Sequence, residues 1–237
     1  LTNEKGATIS IQAPDSLQDS GTTTTNDGTL AVGDGDNLAL SGGSALVQGS
    51  TGSFVPTVDA SKGGFGITGG TVTLAGTLGA ATVGAPALGK VFTVLAGATV
   101  SGTFSGFNFG ASAYNVSVGA TSVTLTTATP FTLKGGRKGT AKEGKPFSNI
   151  PVAGYTAGSQ PSPVYTATIN WGDGSTPSAG TVTSTSVLGS HTYTTTGTFT
   201  VSVTLSDQYG TIETVTDTAT VVKAATTVHG VMPGKVT

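Results

Sequence analysis

The chain contains no cysteine, and charged side chains make up only 9 % of its 237 residues. The lack of cysteine excludes disulfides and thiolate metal sites, although it leaves the compartment open. No run of about 18 apolar residues occurs, so no segment is predicted to span a membrane. The net charge of -2 argues against nucleic acid as a partner, because nucleic-acid binding needs a basic field.

Glycine, threonine and serine fill the chain instead. There are 37 glycines, 36 % of the residues are hydrophobic, and the mean hydropathy is +0.14. Short strands with frequent glycine turns suit β-solenoids and β-sandwiches, and the length allows one large or two ordinary domains. The start Leu1-Thr-Asn-Glu-Lys5 has neither Met nor a basic-then-apolar leader, so we expect a mature protein or an excised fragment.

Two segments in the second half alternate apolar and polar residues with a period of two. The apolar positions are Tyr165, Ala167, Ile169 and Trp171 in the first segment, and Phe199, Val201, Val203 and Leu205 in the second. This period predicts two antiparallel strands, each with one buried face. Gly172-Asp-Gly174 directly after the first segment indicates a tight turn.

These segments resemble the PKD domain, an immunoglobulin-like β-sandwich common in bacterial surface proteins. The matching marks, in chain order, are Trp171, Gly172, Asp173, Gly174, His191, Tyr193, Gly197, Phe199, Val201, Val203 and Asp207. The resemblance implies a sandwich over residues 144–223 and an extracellular, cell-surface location.

The side chains of this motif are expected to be structural. Trp171 is predicted to lie in the core, and the pair His191 and Tyr193 is predicted to form a corner that fastens one sheet to a crossing loop. Asp173 is expected to cap its own turn. Because some PKD-like domains hold Ca²⁺ near such loops, Asp173 and Asp207 are the candidate metal ligands, although two carboxylates fall short of six to eight oxygens. No other cofactor is expected.

From residue 26 to about 130 the chain repeats a loose unit of a short apolar strand followed by glycine. Examples are Thr29–Val32, Asn37–Leu40, Ala45–Gln48, Thr71–Leu74 and Val91–Leu95. No helical period interrupts them, so the segment predicts a β-solenoid, with a β-sandwich as the alternative. Within it, Asp34-Gly-Asp-Asn37 is interpreted as a turn, because it lacks the downstream Glu of an EF-hand loop.

The stretch Leu88–Phe107 is similar to the final rungs of autotransporter-type surface β-helices. That resemblance implies that a last strand pair, Tyr114–Val118 and Ser122–Thr126, closes the end of the solenoid. The acidic element that usually precedes the last strand is replaced here by Ala120-Thr-Ser122. An end rung needs such closure, since its open edge would otherwise pair with another chain.

Three segments are predicted to lie outside the two domains. Residues 1–25 are interpreted as an extended arm, or as an edge strand that pairs with a neighbour. Residues 131–143 form a basic, glycine-rich linker that could also contact anionic polysaccharide, and residues 224–237 form a tail.

No enzyme is expected, because residues 60–142 hold no acid and no Ser nucleophile has a plausible His and acid partner. The sequence predicts an extracellular structural or adhesive module of a bacterial surface or secreted protein. It would contact polysaccharide, other surface proteins or copies of itself. The alternative is a subunit of an extracellular fibre or sheath that polymerises by exchange of terminal strands.

Overall fold

The computed structural model describes residues 1–12, 17–97, 99–135 and 139–224, and throughout these residues the protein is all-β without a helix. Consequently, no helix in this part of the chain is long and apolar enough to cross a membrane.

The chain divides into two compact units. Unit 1 comprises Leu1–Thr132, Thr156–Tyr165 and Ser206–Glu213, and unit 2 comprises Leu133–Tyr155, Thr166–Leu205 and the described part of Thr214–Thr237.

Unit 1 contains short strands separated by glycine turns. Their bounds are β1 Thr2–Asn3, β2 Thr8–Ile11, β3 Leu17–Ser20, β4 Thr23–Asn26, β5 Thr29–Val32, β6 Leu38–Gln48, β7 Ser53–Val55, β8 Thr57–Asp59, β9 Gly63–Phe65, β10 Ile67–Leu74, β11 Thr77–Gly79, β12 Ala81–Val83, β13 Val91–Ala96, β14 Thr99–Gly102, β15 Gly106–Asn108, β16 Tyr114–Val118 and β17 Ser122–Thr127. Most pair in parallel with strands one coil away.

The parallel pairing has the period of a solenoid. On one face Thr2 pairs with Thr25, Thr23 with Ala45, Ala45 with Thr71 and Thr71 with Thr99, which are steps of 23, 22, 26 and 28 residues. A second face stacks β2, β5, β7, β11 and β15 in the same way. The β-solenoid-like arrangement predicted for this half is therefore confirmed, and the β-sandwich alternative is wrong.

Equivalent inward residues stack in columns along the coils. In one column Leu30 lies beside Phe54, Phe54 beside Leu78, and Leu78 beside Phe107. The first three of these side chains are at least 98 % buried. Each coil thus buries its apolar residues against the next coil, because a single coil has no core of its own.

A second column is polar. Asn3 Nδ2 donates to Asn26 Oδ1 at 2.7 Å, and Asn26 Nδ2 donates to Gln48 Oε1 at 2.7 Å. All three amides are buried, and their spacing of 23 and 22 residues equals the coil period. The column ends at Gln48, whose Nε2 has no hydrogen-bond partner among the described residues.

An antiparallel hairpin closes the last coils. β17 pairs with both β13 and β16 in antiparallel register, so strands at Tyr114–Val118 and Ser122–Thr127 stand where the closing pair was expected. Tyr114 is fully buried at this end, and its hydroxyl lies 2.8 Å from Thr82 Oγ1. The later segments of unit 1 also pack here, since Tyr209 stacks on Phe107 with ring centroids 5.7 Å apart.

Eight strands form one continuous hydrogen-bonded sheet, most of which belongs to unit 2. The bounds are β18 Thr132–Gly135, β19 Gly139–Lys142, β20 Phe147–Thr156, β21 Tyr165–Asn170, β22 Ser178–Val182, β23 Ser186–His191, β24 Gly197–Asp207 and β25 Ile212–Val222. Their order is β18-β20-β23-β22-β21-β24-β25-β19. Three of the seven neighbouring pairs, β21–β22, β22–β23 and β24–β25, are consecutive strands, whereas β19 pairs in parallel with the distant β25.

Two segments differ from the sequence interpretation. The segment expected to be an N-terminal arm contributes strands β1 to β3 and most of the Thr-rich β4, because these strands pair in parallel with strands one coil further along the chain. The segment expected to be a basic linker contributes β18 and β19. Its residues 136–138 and most of the predicted tail, 225–237, lie outside the described residues.

Candidate functional site

The turn after β21 is built around Asp173. Asp173 Oδ1 accepts hydrogen bonds from Ser175 N at 3.1 Å and from Ser175 Oγ at 2.6 Å. Gly172 has a φ of 78°, and a Cβ at this residue would collide with the Thr200 carbonyl. Glycine is therefore required at the first of these positions. Gly174 has a φ of 84°, which glycine also adopts most readily.

Asp173 also fixes an imidazole against the tryptophan. Asp173 Oδ2 lies 2.7 Å from His191 Nε2, and the His191 ring stacks on Trp171 with centroids 4.7 Å apart and planes 5° from parallel. Trp171 is only 2 % exposed, and its Nε1 donates to Ser178 Oγ at 3.0 Å. The polar atoms His191 Nε2 and Trp171 Nε1 consequently both have hydrogen-bond partners inside unit 2.

Tyr193 closes the corner. Its hydroxyl donates to the Trp171 carbonyl at 3.2 Å, and its ring stacks on Phe199 with centroids 4.9 Å apart. Burial raises the pKa of Tyr193 to about 12, with a smaller contribution from the nearby Asp173 carboxylate. This hydroxyl therefore remains a donor at neutral pH, as a structural fastening requires.

The pKa of Asp173 is governed by opposing causes. Burial raises the pKa, but hydrogen bonds from Ser175 and His191 together outweigh burial and lower it to about 2. Asp173 is thus ionised at neutral pH. Both of its oxygens already accept hydrogen bonds, so the carboxylate is occupied in holding the turn and the imidazole.

The other candidate metal ligand, Asp207, lies in unit 1. Its Oδ1 accepts hydrogen bonds from Tyr209 N and Thr211 N, both at 2.9 Å, whereas its Oδ2 is buried without a partner. No group of three or more His, Cys, Asp or Glu side chains able to hold a metal occurs in the described part of the chain.

The remaining motif residues follow the strand pattern. Ile169, Val201 and Val203 are buried, and Tyr165 meets Phe131 edge-on within unit 1 at 5.4 Å. Gly197 has a φ of 154° at the start of β24. Ile169, Val201 and Val203 thus belong to the buried interior of unit 2.

A groove of about 370 Å³ opens beside the aromatic cluster of unit 2. Phe147, Trp171 and Tyr193 line it together with apolar residues of β20, and the charged residues of its lining are Lys142, Lys145 and Asp217. Neither ammonium has an ion pair among the residues that the structure describes. The groove therefore combines an apolar floor with two positive charges, Lys142 and Lys145, and one negative charge, Asp217.

The sequence interpretation missed this groove because its residues come from separate strands. It also missed the buried amide column, although Asn3, Asn26 and Gln48 recur at the coil period and could have revealed it.

No protein-family model matches the chain, and no curated protein matches it.

Proposed function

We propose that the chain is a non-catalytic structural or adhesive module of a bacterial surface or secreted protein. The observation that carries this proposal is the stack of parallel coils in unit 1, in which strands of successive coils pair on more than one face. Continuous backbone ladders with buried columns resist bending and local opening. Such stiffness suits a module that holds other domains away from the cell surface or that makes contacts at the surface. An extracellular location goes with this role and is part of the proposal.

The second part of the proposal is that residues 144–223 form a PKD-like, immunoglobulin-like sandwich. Its support is the strand order, in which β18 and β19 occupy opposite ends although they are close in sequence. Further support comes from the Trp171–His191 stack and the Tyr193 hydroxyl, which join three motif positions in one buried corner.

The non-catalytic role is supported by the way the Asp173–His191 pair is used. An acid–base pair needs an accessible reacting partner, but Asp173 is occupied by Ser175 and the His191 ring lies flat on Trp171. The side chains of Asp173 and His191 are only 11 % and 13 % exposed. Their arrangement stabilises a turn.

The groove of unit 2 is the proposed contact surface for an acidic polysaccharide. Lys142 and Lys145 supply the charge, and the apolar floor can receive the non-polar face of a sugar ring. The test is co-sedimentation of the full chain with insoluble acidic and neutral polysaccharides at low and high salt. We expect retention on the acidic polymer that salt weakens.

The double variant Lys142→Ala/Lys145→Ala should lose most of this retention. The matched control Lys5→Ala/Lys90→Ala removes the same charge from unit 1 and should leave retention unchanged. Equal retention of both double variants, or no retention of the parent chain on any polysaccharide, would contradict the proposed contact.

A second function, self-assembly into a fibre or sheath, is favoured by the edge of the first coil. Ala7 O and Ile11 O accept hydrogen bonds from the next coil, from Thr29 N and Gly33 N. In a parallel strand alternate residues serve opposite neighbours, so the backbone groups of Thr8 and Ser10 face the open edge. Asn3 Oδ1, at the end of the amide column, also accepts no hydrogen bond from the described residues.

Light scattering across a concentration series tests this second function. Self-assembly predicts a mass that rises with concentration. Ser10→Pro should abolish this rise, because proline removes the N–H that faces the open edge and leaves the hydrogen bonds between β2 and β5 in place. Ser10→Ala is the matched control and should assemble like the parent. A constant monomer mass for the parent chain would eliminate the fibre subunit and leave the adhesive module.

A further inference from the structure

The turn that joins β5 to β6 carries two carboxylates close together in sequence. It reads Gly33-Asp-Gly-Asp-Asn37, and Gly35 has a φ of 93°. Asp34 Oδ2 forms an ion pair with Lys62 of the following coil. Asn37 Oδ1 accepts a hydrogen bond from Gly66 N at 3.2 Å, which also ties the turn to that coil.

The second carboxylate of this turn is buried without compensation. Asp36 is only 5 % exposed, and its buried Oδ2 accepts no hydrogen bond from the described residues. Asp34 Oδ1 is likewise a buried oxygen that has no hydrogen-bond partner in the described part of the chain. A buried carboxylate is costly unless hydrogen bonds or an opposite charge compensate it, and Lys62 pairs with Asp34 and not with Asp36.

The ion pair of this turn does not compensate Asp36. Among the described residues, Lys62 is the cation paired here, and it bonds Asp34 and also lies in the field of Asp59. Asp59 itself is ionised at neutral pH, since hydrogen bonds from Ser61 and from the Lys62 backbone lower its pKa to about 2. The carboxylates of Asp34 and Asp59 thus share the Lys62 ammonium, and Asp36 has no ion pair among the described residues. A bridging water would not neutralise the charge of Asp36.

The turn also keeps space beside the unpartnered oxygen. Gly33 has no side chain, and a Cβ there would lie 3.1 Å from Asp36 Oδ2 and 3.0 Å from the Ile11 carbonyl oxygen. The side-chain oxygen and the backbone oxygen therefore both border the space that Gly33 leaves open. Carboxylate and carbonyl oxygens are the ligands that Ca²⁺ prefers.

We propose that the Gly33–Asn37 turn binds one Ca²⁺ ion, with Asp34 Oδ1 and Asp36 Oδ2 as its carboxylate ligands. Backbone carbonyls and water complete the coordination. Only two carboxylates take part, so the affinity belongs to the weak range of extracellular modules, with a Kd on the order of 10⁻⁴–10⁻³ M. Mg²⁺ binds more weakly, because it requires a near-ideal octahedral site.

Calorimetric titration of Ca²⁺ into the EDTA-stripped full chain tests the site. The parent chain should bind one ion, and Asp36→Asn should reduce this binding by at least tenfold. The control Asp217→Asn removes an acid from unit 2 and should bind like the parent. Gly33→Ala, which fills the space beside Asp36 while keeping both acids, should also weaken binding.

Thermal unfolding separates lost binding from lost folding. In EDTA, Asp36→Asn should be at least as stable as the parent, because the substitution removes an uncompensated charge. Calcium at about ten times its Kd should raise the Tm of the parent by about 3–5 °C and leave Asp36→Asn unchanged. The proposal is overturned if calcium gives the parent neither heat nor a Tm shift, or if Asp36→Asn binds as the parent does.

Discussion

The two units solve the problem of burying short strands in different ways. In unit 1 the neighbours of a strand lie one coil away, and each coil repeats the same inward position, as in the column of Leu30, Phe54 and Leu78. In the sheet of unit 2 three of the seven neighbouring pairs are consecutive strands, and the aromatic residues gather around Trp171. The stability of unit 1 is therefore distributed along its length, whereas that of unit 2 depends on one corner.

The largest effect is expected at that corner. Trp171→Ala should lower the free energy of unfolding of unit 2 by about 3–5 kcal/mol, because it leaves a cavity and removes the stacking partner of His191. Urea denaturation measures the loss, with Thr200→Ala on the exposed face of β24 as the control. Equal urea midpoints for Trp171→Ala and the parent would show that the corner does not hold unit 2 together.

In unit 1 an apolar truncation should act on one column. Leu78→Ala should cost about 2–5 kcal/mol, since the fully buried side chain lies between Phe54 and Phe107 in register. Denaturation followed by circular dichroism gives the value, with Thr77→Ala as the matched control. If Leu78→Ala lowers the free energy of unfolding by less than Thr77→Ala does, the column of stacked side chains does not stabilise unit 1.

The amide column offers a finer comparison. Asn26→Leu removes the partner of both Asn3 and Gln48 and should cost about 1–3 kcal/mol for each group left unsatisfied. Gln48→Leu should cost less, because Gln48 stands at the end of the column and its Nε2 already lacks a hydrogen-bond partner in the described part of the chain. The free energies of unfolding of the two variants measure this order, and the reverse order would contradict a continuous ladder.

The smallest expected effect is on the stability of unit 2 at acid pH. The folded pKa of Asp173 is about 2, below the ordinary value of 3.8, so its ionised form stabilises unit 2 above pH 3.8. This stabilisation should decline as the pH falls from 3.8 towards 2. Asp173→Asn should lack that part of the pH dependence, which urea midpoints at several pH values will reveal. If the urea midpoints of parent and variant change with pH in the same way, the ionised Asp173 does not stabilise unit 2.

Local patterns predicted the all-β class and the positions of several strands because alternation and glycine turns act over a few residues. The strand at Tyr165–Asn170 and the hairpin that closes the solenoid are examples. The first coil could not be predicted, because β1 to β3 depend on partners about one coil away, and polar Thr-rich sequence equally suits a free arm. Strands β18 and β19 were missed for the same reason, since glycine and lysine usually indicate a linker.

At the candidate site, sequence indicated which motif side chains to consider but not how their bonds are shared. The turn residues and the Trp171–His191–Tyr193 set were singled out by their resemblance to the PKD motif. The closure of Asp173 on His191 and the groove beside Phe147 depend on packing between distant strands. The uncompensated burial of Asp36 likewise requires the three-dimensional structure, because its sequence alone reads as an ordinary turn.

Residue-resolved amide hydrogen exchange of the full chain tests the central claim most directly. A stiff module of stacked coils predicts similar, strong protection at equivalent ladder positions, for example at the amides of Leu30, Phe54 and Leu78. At the edge of the first coil, Ile9 should exchange more slowly than Ser10. Protection confined to unit 2, with rapid exchange throughout the coils, would contradict the account.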